Sequence, residues 1–190
     1  MLEQFRLVGR HERSIRLQTH AGTDVPNIIE SGFGREHLER YRQLRQRHGK
    51  HWQQRKPACG IYNCAGFVWA SRRTSILDEA AWELILNEDG YRSLNQEESP
   101  TIGDLVSYRA SSAGFLHVGM IVEVTVFTDL SSPTTKVLSK WNSTSGEDVH
   151  APEDVGHLRQ FDQEIRIEFW TDRPAPAKGK KRDAESFGAS

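Results

Sequence analysis

Among the side chains able to act as nucleophile or base, Cys64 stands where a Gly- and Pro-marked approach, Pro57 to Cys64, turns into the apolar run Ala65, Phe67, Val68, Trp69 and Ala70. A thiol at such a point sits at the positive end of a helix dipole. An ordinary cysteine has a pKa of about 8.5, and lowering it by about two units takes roughly 2.7 kcal/mol of selective stabilisation. A helix terminus supplies about 0.3 to 2 kcal/mol. A second group, most naturally a histidinium, is therefore expected within hydrogen-bond reach. Of the eight histidines, His117 is best placed, because it opens the β run His117-Val118-Gly119-Met120-Ile121-Val122. Strand alternation puts Val118, Met120, Val122 and Val124 on one face and His117 with Gly119 on the other, where Gly119 leaves room beside the imidazole. A base on a strand and a nucleophile on a helix end make a rigid pair for proton transfer. The bland readings are a small buried hydrophobe for Cys64 and a satisfied core histidine for His117.

These residues need elements to hold them. Residues 1–33 carry Gly, Thr, Asp and Pro breakers and read as an irregular arm. From Arg35 to His48, Leu38, Tyr41 and Leu44 recur at helical spacing among charges, with Gly49 as the stop. A buried helix is expected from Cys64 to about Arg73, and a second from about Asp78 to Asn87. Beyond Thr101 the pattern changes to β runs at Leu105 to Tyr108, His117 to Phe127, Lys136 to Asn142 and Glu164 to Trp170. Helices followed by meandering strands indicate an α+β domain with an antiparallel sheet. The expected division is an arm and polar helix over 1–55, a globular domain over 56–172, and a disordered basic tail over 173–190.

Asn63-Cys64-Ala65-Gly66-Phe67-Val68 resembles the Asp-Cys-Ser-Gly-Phe-Val signature of NlpC/P60 peptidases. Gly103-Asp104-Leu105-Val106 followed by His117-Val118-Gly119 resembles their second block, in the same order and at comparable spacing. The resemblance spans roughly Cys59 to Asn142. It implies a papain-like fold, the nucleophile helix packed on an antiparallel sheet, and hydrolysis of amide bonds, typically in bacterial cell-wall peptides. Cys64 would attack the carbonyl, His117 would relay the proton, and the Cys64 backbone N–H would help hold the oxyanion. The sequence departs from the family at Asn63, at Ala65 and in the strand Val137-Leu138-Ser139-Lys140-Trp141-Asn142, which has no histidine. Ser139 best matches the orienting position; Asn142, or His150 just beyond, could do the same work. Tyr62, Asn63 and Trp141 are expected to line the cleft.

Composition narrows the alternatives. A net charge of −1 gives no global pull toward nucleic acid or anionic membrane. The basic stretch Arg40, Arg42, Arg45, Arg47 and Lys50 reads as a solvated helix face before it reads as a nucleic-acid surface. No apolar run is long enough to span a bilayer, and Met1 to Arg10 lacks a signal-peptide core, so a cytoplasmic protein is expected unless a dedicated system exports it. Cys59 could mask Cys64 in a disulfide, but in a reducing compartment both are expected as thiols. His48 with His51 is too sparse for zinc, and no metal or cofactor is expected. The leading expectation is a thiol hydrolase cleaving a peptide or isopeptide-type amide, with a peptide or peptidoglycan-like substrate. Two alternatives share the fold: a domain without catalysis that binds a peptide or protein partner through its basic helix or tail, and an acyltransferase using the same pair.

Overall fold

A computed structural model describes residues 13–29, 32–95, 97–111, 114–126, 134–160 and 164–176. Helix α1 (Arg35–His48) starts at Gly34, whose N–H donates to His37 Nδ1 at 3.0 Å, and it carries Glu36 in its first turn and Arg45, Arg47 and His48 in its last. That charge order suits the helix dipole. It closes where the Gly49 N–H reaches the Arg45 carbonyl. Tyr41 is the residue it buries, and the Tyr41 hydroxyl donates to Asp148 at 2.7 Å.

Helix α2 (Cys64–Trp69) is short and tightly braced. Asn63 Oδ1 accepts from the N–H groups of Gly66, at 2.9 Å, and Ile76, at 3.1 Å, while its Nδ2 donates to the Ile76 carbonyl at 2.8 Å. The N-cap thereby also ties the returning chain to the helix. The helix stops at Ala70, and Ser71 and Arg72 follow in the left-handed region at φ 50° and 67°. Such angles are costly for residues with a Cβ. They let the Arg72 N–H reach the Gly66 carbonyl and aim its guanidinium at Glu147. Helix α3 (Glu79–Glu88) is capped by Asp78 and buries Ala81, Trp82, Ile85 and Leu86.

The strands are β1 (Gln53–Lys56), β2 (Arg92–Ser93), β3 (Leu105–Ala110), β4 (Gly114–Thr125), β5 (Thr134–Lys140), β6 (Glu147–His150) and β7 (Ile165–Thr171), with a 3-10 turn η1 (Gly156–Gln160) before the last. They form one antiparallel sheet in the order β1-β6-β5-β4-β3-β7-β2. The α+β class and the antiparallel sheet are as expected, and α2 packs on β4 and β5.

Alternation along the strands separates two apolar layers. Leu105, Phe115 and Val118 join Cys64, Ala65, Ile76 and Trp82 on the side of α2 and α3. Val106, Tyr108, Ile121 and Val137 join Trp52, Trp141 and Leu158 in the second layer. The four β runs expected after Thr101 correspond to β3, β4, β5 and β7. Strands β1, β2 and β6 were not expected, because Gln53-Gln54-Arg55-Lys56 and Glu147-Asp148-Val149-His150 have no apolar period to read.

The expected boundary between 55 and 56 runs through β1, which pairs with β6. The arm is less irregular than its breakers suggest: Ile28 bridges to Ser75, and Val25 enters the core beside α2. Arg173 turns back to bond Asp104 at 2.8 Å, while the basic cluster Lys178, Lys180, Lys181 and Arg182 lies outside the described residues.

Candidate functional site

Cys64 takes the first position of α2, as expected, and it is buried, at 6% exposure. Burial pushes its thiol up to about 11, although backbone groups of Val118, Ala65 and Cys64 and the charge of Lys140 pull the other way. Stripping water from an anion outweighs the short helix's dipole. Cys59 and Cys64 are both free thiols.

His117 lies on β4 and is buried at 1% exposure. Its ring stacks on Trp141, with centroids 4.8 Å apart, and tilts against Tyr108 at 5.6 Å. Neither ring nitrogen has a hydrogen-bond partner among the described residues. Burial holds its pKa well below the usual histidine range, and His150 and His157 push in the same direction. No hydrogen bond joins Cys64 to His117. Val118, the next residue, packs in the layer that contains Cys64, while His117 faces Trp141 in the other. Nor does Gly119 leave room beside the imidazole: a Cβ there would lie 2.5 Å from Val137 Cγ1 and 2.6 Å from Ser139 Oγ. The glycine serves the approach of β5.

Two residues considered for the orienting role meet each other. His150 Nδ1 is 2.7 Å from the Ala151 carbonyl, and its Nε2 is 2.9 Å from Ser139 Oγ. The carbonyl fixes the proton on Nδ1, so the Ser139 hydroxyl donates to Nε2. Burial lowers the His150 pKa to about 4, which keeps this pair neutral. Ser139 thus orients His150, with no bond to His117. Trp141 stacks among His117, His150 at 4.4 Å and Trp52 at 4.6 Å, as a core residue. Asn142 lies beyond β5, its Oδ1 accepting from the Thr144 N–H and hydroxyl. Asn63 and Tyr62 are buried too: one is the N-cap, and the other donates its hydroxyl to Glu147 at 2.7 Å.

A charged group on the Cys64 side of the sheet is Lys140. It is fully buried, donates to the carbonyls of Cys59 and Ser145, lies 3.6 Å from Cys59 Sγ, and sits 4.6 Å over the Tyr62 ring. Burial lowers its pKa, against the pull of Cys59, Glu147 and Cys64. Beside it, Arg72 clamps Glu147 through two bonds, 2.6 and 3.2 Å long. Sequence reasoning missed Lys140, Glu147 and Arg72. Alternation could have found Lys140, since a strand that turns Ser139 one way turns its neighbour the other. Asp104, in the second block of the resemblance, is a turn residue ahead of β3, accepting from the Thr101 N–H at 2.7 Å.

Surface grooves of about 490, 360, 370 and 240 Å³ are lined by residues other than Cys64 and His117. Among the described residues no group of three or more His, Cys, Asp or Glu could hold a metal ion, and no helix is long and apolar enough to cross a membrane. Compared with family models, curated proteins and solved structures, the chain matches none.

Proposed function

We propose that this domain, NlpC/P60-like in its sequence blocks, performs no thiol hydrolysis and acts by binding a peptide or protein partner, with α1 as the contact surface. The observation that carries the reading is the separation of Cys64 from His117 into two buried layers with no hydrogen bond between them. Thiol catalysis needs a thiolate, and a thiol with a pKa of about 11 is ionised in roughly one molecule in ten thousand at pH 7. The neutral His117 imidazole cannot take the thiol proton, because its ring faces Trp141 in the layer opposite Cys64. Helix α1 favours the contact role, since Arg40, Arg42 and Arg47 are exposed along it.

The test is mass spectrometry of cell-wall-type peptides carrying amide cross-links after incubation with the wild type and with Cys64→Ala. The expected result is no product that depends on Cys64. A cleavage or transfer product made by the wild type and absent from Cys64→Ala would restore the hydrolase or acyltransferase reading.

A further inference from the structure

The groove between α1 and the 3-10 turn has a chemistry of its own. It holds about 360 Å³ and is lined by Arg40, Gln43, Arg47, His48, Asn142 and His157, with Tyr41 and Leu44 below. Among the described residues no carboxylate lines it. On α1, Glu39 pairs with Arg42 at 3.7 Å and accepts from the Gln43 amide at 3.3 Å, and Asp148 is held beneath by Tyr41 and Arg45. Arg40 and Arg47 are exposed and have no ion-pair partner among the described residues. Asn142 spends its oxygen on Thr144, which leaves its amide NH₂ as a donor. His157 is buried at 6% exposure, and both of its ring nitrogens lack a partner. Buried polar atoms are normally satisfied, so an unpartnered imidazole lining a cationic groove points to a polar occupant.

The spacing of the cations narrows that occupant. Arg40 and Arg47 stand two turns apart on one helix face, a rise of about 10 Å. One compact anion would be centred on only one of them. A peptide in the polyproline-II conformation advances about 3.1 Å per residue with three residues per turn, so carboxylates three positions apart lie on one face about 9 Å apart, close to that distance. We propose that this groove binds an acidic peptide segment in the polyproline-II conformation, one carboxylate at Arg40 and another at Arg47, with Asn142 donating to the chain between them. The assignment rests on the binding reading of the domain and supplies the chemistry of its partner.

Fluorescence anisotropy of a labelled octapeptide carrying two glutamates three positions apart tests it on the full chain. Binding is expected to weaken with salt, to fall about tenfold in the double variant Arg40→Gln, Arg47→Gln, and to vanish for the same peptide with glutamines. Both arginines are exposed, so the variant keeps its fold, as circular dichroism would verify. Absent binding, equal affinity in the double variant, or equal affinity for the glutamine peptide would overturn the proposal. So would a single-stranded oligonucleotide that displaces the peptide and binds more tightly, because the groove would then serve phosphates. Mass spectrometry of the same incubations keeps the two readings apart: Cys64-dependent cleavage of the peptide would remove the non-catalytic reading, while anisotropy alone decides the groove.

Discussion

At Gly66 a methyl group would lie 1.7 Å from the Thr74 carbonyl oxygen, a contact with backbone on both sides that nothing nearby can relieve. Gly66→Ala is expected to cost more than about 2 kcal/mol, measured by urea unfolding; an unchanged midpoint would contradict the packing of α2. The apolar run after Cys64 made the start of this helix legible in the sequence, whereas Asn63, expected in the cleft, caps the helix instead. What alternation could not reveal was which face of β4 the helix covers. The split of Val118 and Met120 from His117 and Gly119 was readable, but the helix lies on the Val118 side. That choice depends on how residues 57–63 cross the sheet, which no local period encodes.

Elements that carry no apolar pattern are the ones the sequence concealed, and charge pairs fasten them. Strand β6 is held to the α2 turn by Arg72 and Tyr62, which both bond Glu147, and to α1 by Tyr41, which bonds Asp148. Burial pushes the Glu147 carboxyl up, but the bonds from Arg72 and Tyr62 outweigh it and hold its pKa below the usual carboxylate value. Replacing Arg72 by methionine leaves a buried carboxylate with one partner fewer, and it should cost about 3 kcal/mol in thermal or urea unfolding. Tyr62→Phe removes a single charge-assisted hydrogen bond and should cost about 1.5 to 3 kcal/mol. If Arg72→Met is as stable as the wild type, β6 is held by its ladder bonds alone.

The whole molecule carries its titratable groups in a form that makes it acid-sensitive. His150 and His157 are buried with pKa values lowered to about 4 and about 3, and His117 is held low as well. The unfolded chain takes up protons near 6.5, before the folded one does, so stability is full above that pH and falls as the pH drops toward 4. For His150 alone the difference from 6.5 to about 4 corresponds to about 3 kcal/mol. Glu147 adds a second loss at lower pH, because its contribution is present above the unfolded carboxylate value and disappears through its own lowered pKa. Urea midpoints are therefore expected to drop between pH 7 and pH 4 and again below it, and a flat profile from pH 7 to 5 would contradict neutral burial of these histidines. The α+β class was legible from the order of helical and β patterns. The two-layer arrangement that parts Cys64 from His117 was not, since it arises only when the sheet is assembled.

The pH dependence of iodoacetamide alkylation at Cys64, read by mass spectrometry separately from Cys59 in the wild type and in His117→Ala, tests that separation most directly. The account predicts that Cys64 reacts slowly in the folded protein, with an apparent pKa above that of a free thiol, about 8.5, and unchanged by loss of His117. An apparent pKa well below that value, rising when His117 is removed, would contradict it and establish a coupled catalytic pair.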